Sequence, residues 1–262
     1  MSVDYKTNIT VDLGFEKNPD RPVTTYSESL GDAKCASSHF HPRSQLIFSR
    51  NGIIKVICQN QMWMVNNTQA IWIPKNVEHQ VFFPKTVELV SVFIDSSVPI
   101  LENKCFAFKM YPFLEQLILK LVQFQNPQKA NEKHLRLVQV FFDELSELIP
   151  TMFFLPLNSD CRIEKITNIL MEDISERKNL DYYANLINVS PRTLSRLFKN
   201  KLGLSFRDWR LRLKLLEAVR MLGDGLSTKE IAFNLGYESP STFIYIFHKH
   251  FKKTPSNFRK SE

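Results

Sequence analysis

The sequence predicts an α+β protein of two domains, a small N-terminal β-barrel and an all-α C-terminal domain, and three observations carry that prediction. Short stretches rich in Val, Ile, Phe and Trp fill residues 1–110, with turn residues between them. After residue 110 the hydrophobic period changes from that of strands to that of helices. A segment close to the C-terminus repeats itself at an offset of 49 residues.

The β stretches are 45–48, 53–59, 61–65, 70–73, 80–83 and 87–94, punctuated by Asn51-Gly52, Asn66-Asn67, Pro74 and Pro84-Lys85. Many short strands at close spacing favour a barrel or sandwich, with Trp63 and Trp72 in its core. Helices are expected next at 112–125 and 131–149. In the second, Leu135, Val138, Phe142, Leu145 and Leu148 share a face, with Glu132, Lys133, Arg136 and Glu147 mostly off it. Stripes this wide must be covered, either by the barrel or by a second chain, and 111–152 is read as a helical dimerisation segment. Pro150 and Pro156 bracket an irregular stretch, so 153–161 is expected to be the linker.

Residues 162–262 are helical throughout, with helices expected at 162–176, 181–187, 191–201, 206–222, 228–235, 240–252 and 255–260. Ser190-Pro191 and Ser239-Pro240 each place Ser at an N-cap and Pro at the first helical position, where its missing N–H breaks no bond. Thr254-Pro255 repeats the device.

Charge separates the two halves. Residues 161–262 hold 19 Lys+Arg against 11 Asp+Glu, whereas residues 1–160 hold 15 against 16. A basic excess confined to one half points to an anionic partner for that half, nucleic acid first. No apolar run approaches the ~18–20 residues that span a bilayer; the stretch 114–124 is broken by Glu115, Gln116, Lys120 and Gln123. The start of the chain alternates polar and apolar residues, unlike a secretion signal. Cys35, Cys58, Cys105 and Cys161 are scattered without metal-site spacing, and are read as buried thiols of a cytoplasmic protein with no membrane partner.

In the repeat, Ser, Pro, Thr, Phe and Arg coincide at 190/239, 191/240, 193/242, 198/247 and 210/259. A short helix precedes each copy, and Asn188 or Gly236 occupies the bend; both residue types tolerate a left-handed backbone. Short helix, tight turn and capped second helix make a helix-turn-helix. With Leu194, Leu197 and Phe198 inward, Arg192, Ser195, Arg196 and Lys199 face outward, where a recognition helix meets DNA. In the second copy Phe243, Ile246 and Phe247 turn inward and Ser241, Thr242, Ile244 and Tyr245 outward, followed by His248, Lys249, Lys252 and Lys253 beside phosphates. Arg can bond guanine bidentately and Lys can neutralise phosphate. Double-stranded promoter DNA is the expected partner.

Residues 162–262 resemble the DNA-binding domain of the AraC/XylS family of transcription regulators. The stretch 231–259 carries the family pattern, including Ala232, Gly236, Ser239, Phe243, Phe247, Phe251, Pro255 and Arg259. The resemblance implies base contacts from Arg192, Ser195 and Arg196 and from Ser241, Ile244 and Tyr245, with RNA polymerase a candidate partner and a homodimer the expected assembly. Many members carry a polar or basic residue where Tyr245 stands, so the first unit is expected to carry more of the specificity.

In the N-terminal half, His39-x-His41-x3-Gln45 is followed by Gly52, and Pro74-x-Asn76 by His79. On a strand His39 and His41 would share a face. The pattern resembles the two motifs of the cupin barrel, in which the His residues and a Glu hold a divalent metal. Here Gln45 replaces the Glu, Asn76 a Gly, and Ala33 another Gly. Three readings stay open: a divalent-metal site formed by His39, His41, Gln45 and His79, a polar pocket for an unknown small-molecule effector, or internally satisfied histidines. The leading function is a sequence-specific, effector-responsive transcription regulator and not an enzyme. The alternative is a cupin-type metalloenzyme with an accessory DNA-binding domain.

Overall fold

The computed structural model describes residues 7–8, 20–31, 34–65, 69–83, 86–98, 103–124, 131–151, 154–158 and 160–260. Ala33 and the expected turn residues Asn66, Asn67, Pro84 and Lys85 lie outside them. The chain divides into two units. One holds Val3–Gln59 and Trp63–Phe153; the other holds Phe154–Glu262 with Asn60–Met62.

The strands are β1 (Thr7–Asn8), β2 (Val23–Leu30), β3 (Lys34–His39), β4 (Ser44–Ser49), β5 (Ile54–Cys58), β6 (Gln61–Val65), β7 (Gln69–Ile73), β8 (His79–Phe83), β9 (Val87–Ile94), β10 (Phe106–Lys109), β11 (Pro150–Thr151) and β12 (Leu155–Pro156). Among the described residues they form two six-stranded sheets, ordered β1-β3-β8-β5-β6-β12 and β11-β10-β7-β4-β9-β2. Two helices follow β10: α1 (Pro112–Val122) and α2 (Glu132–Ser146).

Burial explains the composition of each sheet. In β5 and β8 every second side chain is buried, the mark of strands with one face covered. By contrast β4, β7 and β9 are buried almost continuously. One face of that sheet packs Leu46, Phe48, Trp72, Val90 and Val92 against Leu114, Ile118 and Leu121 of α1 and Val138, Phe141 and Leu145 of α2. Sheet strands covered on both faces read as unbroken apolar runs. Trp63 and Trp72 are core residues as expected.

Several expectations change. The fully covered stripe of α2 is His134, Val138, Phe141 and Leu145; Val138 and Leu145 are on the predicted face, Phe142 and Leu148 pack partly buried at its side, and only Leu135 leaves it, 45% exposed. His134 hides the start of the stripe because a polar residue occupies a core position, its ring against Phe124 at 4.9 Å. The stretch around the two prolines is not irregular: β11 pairs with β10 and β12 with β6. Both are terminal strands of their sheets, where a proline's missing N–H interrupts no ladder. Strands β2 and β3 were not among the predicted stretches, being rich in Ser, Thr and Glu. Cys58 and Cys105 are buried as expected, but Cys35 is half-buried and Cys161 exposed, on the first turn of a helix whose covered face starts at Ile163.

The first unit contains a buried ion pair. Arg43, fully buried, lies 3.3 Å from the Asp95 carboxylate and donates to the Arg21 carbonyl at 2.9 Å.

The second unit contains α3 (Cys161–Glu172), α4 (Leu180–Leu186), α5 (Pro191–Leu202), α6 (Phe206–Gly223), α7 (Thr228–Asn234), α8 (Pro240–Phe251) and α9 (Pro255–Lys260). Helix α3 stops at Glu172, short of the expected 176, because Asp173 turns back to accept from the Ser175 N–H and hydroxyl. Ile163, Ile166, Leu170, Tyr183, Leu194, Phe198, Trp209 and Leu213 are among its buried side chains. No helix among the described residues is long and apolar enough to cross a membrane.

Candidate DNA interface and histidine cluster

The repeat becomes intelligible as two helical triplets, α4-α5-α6 and α7-α8-α9. The coinciding residues do the same work in each. Ser190 accepts from the Thr193 N–H at 3.2 Å, and their hydroxyls meet at 2.9 Å. Ser239 and Thr242 repeat both bonds at 3.3 and 3.0 Å. Phe198 and Phe247 are wholly buried. Arg210 donates to the Lys178 carbonyl at 2.9 Å, just before α4, and Arg259 donates to the Leu226 carbonyl, just before α7. Each arginine thus ties the third helix of its triplet to the start of the first, and the coincidence at 210/259 is structural.

The bends differ by one residue. Asn188, with φ 53°, stands two positions before the Ser190 cap; Gly236, with φ 75°, stands three before Ser239. A Cβ on Gly236 would lie 2.4 Å from the Ser175 carbonyl oxygen. Glycine is required there for both angle and space. Helices α5 and α8 end alike in left-handed caps, Gly203 at φ 70° and Lys252 at φ 56°. Lys252→Gly is therefore expected to stabilise the second unit by about 0.5–1 kcal/mol, seen as a higher denaturation midpoint; an unchanged or lower midpoint would count against a strained cap.

Arg192, Ser195, Arg196 and Lys199 of α5 are exposed, as are Ser241, Thr242, Tyr245 and Lys249 of α8, while Ile244 is half-buried. Among the described residues Arg192, Ser195 and Arg196 bond no protein partner through their side chains. Lys199 reaches back to the Gly203 carbonyl at 3.3 Å. The Thr242 hydroxyl is engaged by its cap. The outward face of α5 therefore offers two uncommitted guanidiniums, and that of α8 offers Ser241 and Tyr245.

In the first unit, His39, His41 and His79 come together, with one ring nitrogen of each within 4.8 Å of the others. Strand alternation does not do this: β3 ends at His39, and His41 lies in the loop before β4. A bulge does part of it. Ala36 pairs with Val81, but His39 pairs with His79, so β3 carries one extra residue and turns His39 toward β8. The Asn76 N–H donates to the His41 carbonyl at 2.8 Å, joining the two histidine loops. Asn76 has φ 59°, which explains how it can stand where the cupin pattern has Gly.

The hydrogen bonds set the tautomers. The Nδ1 atoms of His39, His41 and His79 face the carbonyls of Ser37, Arg43 and Val77 at 2.6, 2.6 and 2.9 Å. A carbonyl only accepts, so each Nδ1 carries the hydrogen. Burial lowers the pKa of His41 and pushes that of His79 down to about 3, which leaves both rings neutral at neutral pH. Gln45 donates its amide N–H to Ser91 at 3.1 Å and points its oxygen at His41 Nε2, 3.4 Å away. Two acceptors thus face each other. Turning the Gln45 amide over would give His41 a donor, but the buried Nε2 of His79 would still have no partner. Three imidazoles brought within 4.8 Å of one another, with the Gln45 amide oxygen beside His41, are a donor set that fits a divalent cation.

Residues 183–261 match a family model described as a helix-turn-helix domain. The HTH-type transcriptional regulator NimR of Escherichia coli K12 is 34% identical over 220 residues, covering 84% of this chain and 81% of that protein. The transcriptional activator RhaS of Shigella boydii is 29% identical over 104 residues, 39% of this chain and 37% of its own. Among solved structures, ToxT of Vibrio cholerae aligns over 91% of this chain and 97% of its own, at 17% identity and a TM-score of 0.38. The likeness to NimR runs through both units, and with the paired helix-turn-helix triplets it establishes that the chain belongs to the AraC/XylS family of DNA-binding transcription regulators.

Proposed function

We propose that this regulator reads a defined promoter site chiefly through Arg192, Ser195 and Arg196 of α5, with Ser241, Ile244 and Tyr245 of α8 making weaker contacts. Lys199 and Lys249 lie beside phosphates, and Thr242 serves its cap. The uncommitted guanidiniums on an otherwise capped and packed helix carry this reading. Arg196→Ala is expected to weaken operator binding by ~1–3 kcal/mol and to relax base preference at one position. An unchanged gel-shift titration would remove Arg196 from the interface.

The domain limits we infer are a barrel over 1–110, a helical dimerisation segment over 111–152, a linker over 153–161 and the DNA-binding domain over 162–262. Exposed Phe113, Leu135 and Val140 on α1 and α2 support a homodimer through these helices, testable by sedimentation of the full chain. RNA polymerase is the partner through which the bound regulator would act, in the cytoplasm. The relatives named above are transcription regulators, which favours binding over catalysis.

The controlling signal in this reading is a divalent cation, held by Nε2 of His39, His41 and His79 and by the Gln45 amide oxygen. When bound, it would supply the positive charge that four converging lone pairs lack. Binding would draw together β3, β8 and the loop before β4, and alter how DNA is read. Metal analysis after metal-supplemented expression is expected to find one ion per chain, lost in His41→Ala with the fold retained by circular dichroism. A full-length protein without stoichiometric metal would leave the small-molecule pocket as the surviving reading.

A further inference from the structure

Helix α7, the first of the second helix-turn-helix, is held at both ends, and the two holds differ in kind. At its start the chain arrives from α6 through Gly223-Asp224-Gly225, the last at φ 84°. Glycine gives such a joint wide backbone freedom. At its far end the hold is made by side chains from the first triplet. Lys214 of α6 donates to the Leu235 carbonyl at 2.6 Å, and its ammonium lies 5.2 Å from the centre of the Tyr237 ring. A cation there satisfies one of the terminal carbonyls that a helix leaves open.

The turn between α3 and α4 meets the same bend. The Ser175 carbonyl leaves no room for a Cβ on Gly236, and Arg177 lies 3.0 Å from Glu238. That turn is itself fixed. Glu176 accepts from the N–H groups of Arg177 and Lys178 at 2.8 and 3.1 Å. Residues 235–238 are therefore gripped by α6 and by the lead into α4. Burial, and then the guanidiniums of Arg210 and Arg177, lower the pKa of Lys214 to about 8, against a smaller pull from Asp173. The carbonyl and the ring, not a carboxylate, set its place.

Two recognition helices meet one duplex together only if their separation matches the DNA between the stretches they read. Helix α8 follows the gripped bend directly. We propose that the grip sets the DNA spacing this protein accepts, and that Lys214 is the positioning residue that fixes α8 relative to α5. This rests on the reading of α5 and α8 given above. Without the grip, α7 and α8 pivot at the glycine joint and neighbouring spacings become equivalent. Target choice then has two parts, base contacts and distance, and different residues make them.

The probe is a duplex selected by the full chain from a random library, its contacted stretches mapped by hydroxyl-radical footprinting. Adding or removing one base pair between them moves the second stretch by about 3.4 Å along the axis and about 35° around it. The wild type is expected to bind these copies about tenfold or more weakly, ~1.4 kcal/mol or above. Lys214→Met keeps the length of the side chain and removes the donor; it is expected to bind all three duplexes within about threefold of one another. Lys214→Arg, which supplies a donor again, is expected to recover the discrimination. Each readout is a ratio of affinities within one protein, so a general loss of stability or affinity does not move it. Wild-type discrimination in Lys214→Met overturns the proposal. A wild type indifferent to spacing, with Arg196→Ala still weakening binding, overturns it and leaves the contacts of α5 standing. A footprint confined to one stretch overturns the reading of α8 and the proposal with it. If Lys214→Met does not fold by circular dichroism, Arg177→Glu replaces it. That change sets two carboxylates against each other and is expected to relax the spacing, with Glu238→Arg added to restore it; an unchanged preference in both overturns the proposal.

Discussion

Arg43→Ala is expected to destabilise the N-terminal unit by about 3–5 kcal/mol, because it leaves a buried carboxylate without its cation. Asp95 is 3% exposed, so water cannot take over from the guanidinium. The carbonyls of Phe93 and Arg21 also lose a donor. Chemical denaturation followed by the fluorescence of Trp63 and Trp72 would report the loss, and a shift below 1 kcal/mol would show that the pair contributes little. The double change Arg43→Met with Asp95→Leu is expected to recover much of the stability, since replacing a buried pair by apolar groups is often neutral.

The other large effect falls in the second helix-turn-helix. Gly236→Ala is expected to destabilise it by about 2–4 kcal/mol, combining a positive φ with a clash against backbone. The Ser175 carbonyl oxygen, 2.4 Å from the new Cβ, belongs to the turn between α3 and α4 and cannot rotate away as a side chain would. Gly236→Asn separates the two causes: asparagine accepts the angle, as Asn188 does at the first bend, but still carries the Cβ. A loss in Asn equal to that in Ala would assign the effect to contact. Segment-resolved hydrogen exchange over α7 and α8 is the measurement, and native protection in Gly236→Ala would dismiss both causes.

Legibility in the sequence followed how far each feature depends on neighbours in the chain. The helices of the second unit were readable because their caps are local: Ser190, Ser239 and Thr254 each announce a start within three residues. The roles of Arg210 and Arg259 were not readable, since a carbonyl partner about 32 residues away leaves no mark in composition. Strands β4, β7 and β9 stood out because helices and sheet cover both faces, whereas β2, with Ser27, Glu28 and Ser29 exposed at a sheet edge, looked like loop. The histidines come together only partly for the reason that their spacing suggests. Alternation along one strand suggested that His39 and His41 share a face, but a bulge and a loop bring them together with His79. The stripe of α2 is legible except at its start, where His134, a core residue of polar type, takes the place expected of Leu135.

One consequence of the two arginine ties concerns how such a protein can change its target. Caps, ties and buried rings are made by Ser190, Thr193, Phe198 and Arg210, and again by Ser239, Thr242, Phe247 and Arg259. None of them overlaps Arg192, Ser195, Arg196, Ser241 or Tyr245, which face solvent. In the reading proposed above, folding and target choice are therefore written in separate alphabets within the same two triplets. A lineage of duplicated copies could drift through many operators while its scaffold stayed under an unrelated constraint.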